Sequence, residues 1–140
     1  MNFIKTIFTI YYYIRAKSFF RKDNEEKTYR YLKKINTDII EKYYSVEYYL
    51  FLGYTSLYLR KFNESEIYFR KAIFFIDSDN TAFNKDEKNY LKCYALILLQ
   101  AQNKHLNKNI NLFQSEIDNL KKQFNRKNIK ETLLGYFFIK

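Results

Sequence analysis

The residues best suited to catalysis are one cysteine and one histidine, Cys93 and His105. A thiol beside an imidazole can act as an activated nucleophile. On one continuous helix, their sequence separation corresponds to about 18 Å, so a dyad requires the helix to end early. We therefore interpret Cys93 as a small buried thiol and His105 as a surface or capping residue near a helix junction.

Other catalytic signals are sparse. A lone cysteine and a lone histidine do not complete a metal site. Acidic pairs such as Glu64/Glu66 and Asp86/Glu87 fall at predicted helix starts, where the helix dipole favours negative charge. The sequence contains no Gly-rich phosphate loop and no hydrolase or kinase motif. We predict a non-catalytic protein without a metal or other cofactor.

Positive charge is the second chemical feature, with a formal net charge of +10. Residues 1–40 hold nine Lys/Arg against four Asp/Glu, and residues 121–140 hold six against one. Such ends favour nucleic acid, an acidic protein or a membrane surface. The alternative is a solvated outer face in a protein from an AT-rich genome, because Lys outnumbers Arg 19 to 6. The predicted basic patch comprises Lys27, Arg30, Lys33, Lys34, Lys121, Lys122, Arg126 and Lys127.

Tyrosine is the third feature, with fifteen residues and clusters at Tyr11–Tyr13, Tyr43/Tyr44 and Tyr48/Tyr49. Burial of one helix face cannot hide three consecutive tyrosines. Exposed tyrosine is favoured at recognition surfaces, although AT-rich codon usage also explains the abundance. These clusters indicate a surface that binds another macromolecule.

The elements that position these residues are predicted to be helices. The 140 residues include no proline and only two glycines, too few for the turns of an all-β fold. An Asn or Asp three residues before a Glu can form a capping box at a helix start. This pattern occurs at Asp23/Glu26, Asp38/Glu41, Asn63/Glu66, Asn84/Glu87 and Asn128/Glu131. The length fits one domain, residues 1–140.

Apolar spacing after these starts predicts about seven helices. They lie near 2–21, 24–36, 39–60, 64–77, 85–103, 107–124 and 129–139. Short connections make sequential helices antiparallel. The predicted fold is all-α, with three stacked hairpins at about 2–36, 39–77 and 85–124 and a C-terminal capping helix at 129–139.

An internal repeat with an offset of 37 supports this arrangement. Between Tyr12–Ile35 and Tyr49–Ala72, the small residues Ala16 and Gly53 align, as do Thr28 and Ser65. Further aligned pairs are Tyr12/Tyr49, Ser18/Thr55, Tyr31/Tyr68, Leu32/Phe69, Lys33/Arg70 and Lys34/Lys71. Small residues at these positions allow two helices to approach closely.

The best repeat unit resembles the tetratricopeptide repeat (TPR). It carries Tyr49, Leu52, Gly53, Ser56, Phe62, Ser65, Phe69 and Ala72 at the spacing of that family. Ser56 and Ser65 depart from the usual Tyr and Ala, and the closing Pro is absent. The resemblance is good over about 30 residues and implies an α-solenoid.

The TPR resemblance also implies a binding face formed by the first helix of each hairpin. Carried onto this chain, it gives a Tyr-rich groove suited to a peptide or protein with apolar anchors and acidic flanks. The predicted groove residues are Tyr13, Lys17, Phe20, Arg21, Leu50, Tyr54, Leu57, Tyr58, Lys92 and Leu96. The last helix is unusually apolar for a cap, so we expect part of it to contact a partner or a second copy of the chain.

These features predict a protein–protein interaction module, such as a small bacterial adaptor, a chaperone or a toxin-neutralising immunity protein. The alternative is a nucleic-acid-binding protein that uses the two basic ends. No uncharged apolar run approaches the roughly 20 residues needed to span a bilayer. The N-terminus lacks a signal-peptide cleavage pattern, and a cytoplasmic location is expected.

Overall fold

The computed structural model describes residues 3–78 and 82–139. These residues form α1 (Phe3–Arg21), α2 (Glu25–Lys33), α3 (Thr37–Tyr43), α4 (Ser45–Tyr58), α5 (Phe62–Ile76), α6 (Lys85–His105), α7 (Gln114–Gln123) and α8 (Glu131–Tyr136), with a 3-10 turn at Arg126–Asn128. The predicted all-α class is confirmed. Contacts divide the chain into two compact units with the boundary inside α5. Unit 1 ends at Tyr68 and unit 2 begins at Phe69.

Unit 1 contains the hairpin α1–α2, the short α3, and a second hairpin formed by α4 and the part of α5 up to Tyr68. α1 packs against α2, α2 packs against α4, and the short α3 packs against both α1 and α4. Fully buried apolar side chains fill the space between these helices, among them Ala16, Leu32, Ile40, Leu50 and Leu52. This unit therefore contains the first repeat and the start of the second.

The small residues of the repeat lie where helices approach each other. Ala16 and Gly53 are buried, and so are Thr28 and Ser65. Ser65 Oγ donates a hydrogen bond to the backbone carbonyl oxygen of Gly53 at 3.0 Å, which joins α5 directly to α4. Gly53 itself is buried, so a larger side chain at this position would have to displace neighbouring atoms.

Aromatic pairs also recur in the two hairpins of unit 1. The rings of Tyr12 and Tyr31 have centroids 6.1 Å apart, and the aligned pair Tyr49 and Tyr68 has centroids 6.2 Å apart. Each pair joins the first helix of a hairpin to the second. The offset of 37 in the sequence thus corresponds to similar packing in space.

The single helix predicted at 39–60 is wrong, because the chain forms α3 and α4 with a break at Tyr44. Tyr44 has φ −139° and ψ 34°, outside the helical region. Its N–H still donates to the carbonyl of Ile40 at 2.8 Å, and its own carbonyl accepts from Tyr48 at 3.0 Å. The break lets the ring of Tyr44 stack on that of Tyr13, with centroids 5.3 Å apart.

The predicted helix at 107–124 is also too long, since α7 begins only at Gln114. Asn107 has a positive φ of 56° and ends the preceding helix. The Asn109 side chain accepts a hydrogen bond from the N–H of Asn111 at 2.9 Å. Asparagine side chains that bond to the nearby backbone compete with helix formation.

One predicted capping box forms in full, at the start of α6. The side chain of Asn84 accepts from the N–H of Glu87 at 2.8 Å, and the Glu87 carboxylate accepts from the N–H of Asn84 at 3.1 Å. α2 is instead capped by Asn24, one position after Asp23, and α3 is capped by Asn36.

The other two predicted boxes do not start a helix at the predicted position. Asn63 lies inside α5, which begins at Phe62. The Asn128 side chain donates to Asp86 at 2.7 Å and does not cap α8. The predicted C-terminal helix 129–139 is correspondingly shorter, at Glu131–Tyr136.

Unit 2 is organised around α6. α7 packs on this helix, and the C-terminal segment is fixed to it by Tyr90, whose hydroxyl donates to the Phe137 carbonyl and accepts from the N–H of Ile139 at 3.2 Å. Four apolar side chains of that segment are buried: Ile129, Leu133, Phe137 and Ile139. Phe138 is exposed, so the expected partner contact of the last helix would involve chiefly this residue.

Across residues 3–78 and 82–139, no helix combines the length and the apolar character required to cross a bilayer.

Candidate functional site

Helix α1 presents an unusual combination of apolar and basic side chains. Its charged residues are Lys5, Arg15, Lys17 and Arg21, and its sequence includes no acidic residue. Large apolar side chains on its surface are about half exposed or more: Phe3, Ile4, Ile7, Phe8, Ile10, Tyr11 and Ile14. Exposed apolar area of this kind marks binding surfaces.

A groove of about 430 Å³ lies between α1 and α3. Its floor is buried and includes Thr9 and Ile40, and its rims are exposed and include Ile14 and Tyr43. The described lining residues are Thr6, Thr9, Ile10, Tyr13, Ile14, Lys17, Ile39, Ile40, Tyr43 and Tyr44. The groove is therefore mainly apolar, and Lys17 is the charged residue among those that line it.

Tyr13 forms the centre of the floor. Its hydroxyl donates to the Glu47 carboxylate at 3.1 Å, and its ring stacks on Tyr44. The ammonium nitrogen of Lys17 lies 5.3 Å from the centroid of the same ring, within cation–π range. These contacts fix the ring orientation and place the positive charge of Lys17 at the groove.

An aromatic series continues from α1 onto α4. The ring of Phe20 contacts that of Tyr54 edge to face at 5.3 Å, and Tyr54 stacks on Tyr58 at 6.5 Å. Tyr58 is 61% exposed and Arg21 is also exposed, whereas Leu57 is half-buried. Burial, with a smaller contribution from the carboxylates of Glu25 and Asp23, raises the pKa of Tyr54.

Two of the predicted groove residues, Tyr13 and Lys17, line the groove between α1 and α3. Tyr13, Lys17 and Phe20 share one side of α1 with Arg21 nearby, and Tyr54 and Tyr58 extend the surface. Leu50 is completely buried, so it is a core residue and its assignment to the groove is corrected.

Two predicted groove residues belong to unit 2. Leu96 is 3% exposed and is therefore also a core residue. The ammonium of Lys92 forms ion pairs with Asp77 at 3.2 Å and with Glu116 at 3.5 Å. These contacts give Lys92 a role within unit 2.

Sequence reasoning missed the α3 side of the groove. The sequence pattern predicts Ile39, Tyr43 and Tyr44 on one continuous helix at 39–60. That prediction gives no reason for these residues to lie opposite Ile14. The available signal was the Tyr43/Tyr44 cluster itself, because two adjacent tyrosines cannot both be buried on one helix face.

The Cys93–His105 dyad does not form. Both residues lie on α6, which is continuous from Lys85 to His105. Cys93 is fully buried, and burial raises the pKa of its thiol, whereas His105 is exposed at the end of the helix. Within the described part of the chain, no three His, Cys, Asp or Glu side chains are grouped to hold a metal ion.

The predicted basic patch divides between the two units. Its first half, Lys27, Arg30, Lys33 and Lys34, lies on and just after α2 and is exposed. Its second half, Lys121, Lys122, Arg126 and Lys127, flanks the end of α7 and the 3-10 turn. There Arg126 donates to the carbonyl of Ile139 at 2.9 Å and so stabilises the C-terminal segment.

Comparison with known proteins found no matching family model, curated protein or solved structure.

Proposed function

We propose that this chain is a non-catalytic protein-binding module whose partner inserts an apolar segment into the groove between α1 and α3. The observation that carries the proposal is the groove itself, with buried Tyr13 and Ile40 as floor and exposed Ile14 and Tyr43 as rims. Protein interfaces concentrate aromatic side chains at their centres, and they bury apolar rims of this kind.

The charges of α1 favour an acidic partner. All four charged side chains of this helix are basic, and Lys17 lines the groove. An amphipathic helix or an extended peptide with apolar anchors and an Asp or Glu opposite Lys17 has matching chemistry. Tyr54 and Tyr58 would contact the continuation of the same segment.

The TPR-like repeat supports this proposal. Aligned small residues are buried in both hairpins of unit 1, and the first helix of each hairpin supplies groove or aromatic-series residues, as the resemblance implies. A small cytoplasmic adaptor, a chaperone or a toxin-neutralising immunity protein would each act through such a surface.

A photo-crosslinking amino acid at Tyr43 tests the proposal in the native host. The expected result is one specific adduct, identified by mass spectrometry and absent when the crosslinker replaces exposed Phe74 on α5. The purified partner should then bind Ile14→Ala/Tyr43→Ala more weakly by about 2 kcal/mol, because aromatic and apolar anchors dominate interface energies.

Two further variants separate the groove from simple charge attraction. Tyr54→Ala/Tyr58→Ala should also weaken partner binding. Neutralising the first half of the basic patch should slow association and leave dissociation nearly unchanged. The groove proposal fails if the neutralised variant loses binding while the Ile14→Ala/Tyr43→Ala variant keeps it.

A further inference from the structure

A second surface of α1, on the side that contacts α2, carries a continuous row of aromatic rings. The centroids of Phe8 and Tyr12 are 6.0 Å apart, those of Tyr12 and Tyr31 are 6.1 Å apart, and those of Tyr31 and Phe19 are 5.4 Å apart. We refer to these four side chains as the aromatic row. None of them lines the groove described above.

Three cations lie over the aromatic row. The guanidinium carbon of Arg15 lies 5.0 Å from the ring centroid of Phe19, and the ammonium nitrogen of Lys27 lies 5.1 Å from the same centroid. The ammonium of Lys34 is 5.1 Å from the Tyr31 centroid and 5.7 Å from that of Tyr12. All three cationic side chains are exposed. The rings therefore hold positive charge at defined positions facing solvent.

A basic cleft of about 630 Å³ continues from the aromatic row through Lys34, which lines it. Its other basic lining residues are Arg30, Lys33 and Lys61, and the ammonium of Lys61 lies 5.4 Å from the Tyr29 ring centroid. The acidic lining residue Glu26 pairs with Arg30 at 3.7 Å. Lys and Arg side chains therefore outnumber Asp and Glu side chains along the aromatic row and the basic cleft.

We propose that the aromatic row and the basic cleft bind single-stranded nucleic acid. Unpaired bases stack on aromatic rings, while Lys and Arg contact the phosphates. On binding, the ammonium groups of Lys27 and Lys34 and the guanidinium of Arg15 turn from the ring faces to phosphate oxygens. Bases then take their places on Tyr31 and Phe19. A duplex keeps its bases stacked inside, and an acidic peptide without aromatic residues has no comparable planar groups, so neither uses the rings in this way.

Fluorescence anisotropy with labelled oligouridylate and oligothymidylate tests this inference on the full chain. The wild type should bind both single strands, with affinity that falls as salt concentration rises. Phe19→Leu/Tyr31→Leu retains every charge and should weaken binding about tenfold or more, because it removes two stacking surfaces. Absence of binding at low salt would overturn the proposal.

Charge variants provide the matched control. Lys27→Gln/Lys34→Gln should weaken binding and make its salt dependence shallower, since two phosphate contacts are lost. Lys121→Gln/Lys122→Gln removes the same charge from unit 2 and should have a much smaller effect. Equal losses in the two variants would show attraction by net charge alone and would contradict the proposed site.

Competitors distinguish the other possible ligands. Heparin, polyglutamate and a duplex of the same sequence should each compete less well than the unlabelled single strand. Equal or better competition by any of them would overturn the assignment to single strands.

A measurement on the unaltered protein covers the case in which the leucine variants do not fold. Ultraviolet crosslinking with a bromouridine oligonucleotide should modify Tyr12, Phe19 or Tyr31, as identified by peptide mapping. Adducts confined to unit 2 would overturn the proposal.

Discussion

Asp23 and Arg60 lie 37 positions apart and both adopt the left-handed conformation, with φ of 54° and 62°. Each ends the first helix of a hairpin. Equivalent hydrogen bonds close the two turns, from the N–H of Asn24 to the carbonyl of Phe19 at 3.0 Å and from the N–H of Lys61 to the carbonyl of Ser56 at 2.7 Å. The repeat therefore extends to the backbone conformation of its turns, where neither residue is the glycine that such turns favour.

The left-handed conformation of Arg60 predicts a stabilising substitution. Glycine has no Cβ to clash in this region, so Arg60→Gly should raise the free energy of unfolding by about 0.5–1 kcal/mol. Chemical denaturation measures the change. Arg60→Ala removes the same long side chain but keeps the Cβ, so it should give no such gain, and equal effects of the two substitutions would contradict this explanation.

Gly53 is buried and its carbonyl accepts a hydrogen bond from Ser65 of α5, so a larger residue at this close contact should be poorly tolerated. Gly53→Leu should lower the free energy of unfolding by about 1–3 kcal/mol or more, because it overpacks the α4–α5 contact. Thermal unfolding provides the measurement. The matched control is Gly135→Leu in α8, where a Cβ would have no neighbour within 4 Å and the melting temperature should change little.

Alkaline pH should destabilise unit 1 through three buried or half-buried tyrosines. Burial and the 2.6 Å hydrogen bond to Glu64 raise the pKa of Tyr29, and burial likewise raises that of Tyr48 and Tyr49. Because the folded pKa exceeds the unfolded value of about 10, the stabilisation is complete below pH 10 and is lost as the pH rises above it.

Urea unfolding at a series of pH values tests this dependence. Tyr29→Phe should lower stability at neutral pH by about 1 kcal/mol, through loss of the hydrogen bond, and should make the decline above pH 10 shallower. Glu64→Gln keeps an acceptor but removes the negative charge, so its slope should lie between those of the wild type and Tyr29→Phe. An unchanged slope in Tyr29→Phe would exclude Tyr29 as a contributor.

Cys93 should react very slowly in the folded chain. Its side chain is fully buried and burial raises the pKa of the thiol, so the reactive thiolate forms mainly when the structure opens. Alkylation by iodoacetamide at neutral pH should be roughly a thousandfold slower than in the urea-unfolded chain. Rapid labelling without unfolding would show that unit 2 opens far more readily than its packing indicates.

The predictions from sequence were most accurate where local chemistry alone decides the structure. The Asn84/Glu87 capping box formed in full, and the repeat offset placed Ala16 and Gly53 in buried helix contacts. At α2 and α3 the cap moved by one or two positions, to Asn24 and Asn36, because several neighbouring Asn and Asp side chains can cap the same turn.

The groove could be predicted only in part. Tyr13 and Lys17 followed from the TPR resemblance, but the opposite wall depends on the break at Tyr44. No glycine or proline marks that position, and the break is accompanied by tertiary contacts such as the stacking on Tyr13. Local sequence patterns do not encode a helix end of this kind.

The break at Tyr44 has a consequence for the range of ligands that the groove can accept. Tyr44 is both the C-cap residue of α3 and the N-cap residue of α4, and its side chain makes no capping hydrogen bond to α4. Hydrogen bonds of Tyr44 with Ile40 and Tyr48 span the break, and Ile40 is buried, so α3 is held at this angle. The two backbone torsions of Tyr44 therefore set the width of the groove, and a ligand has to fit walls whose separation is already defined.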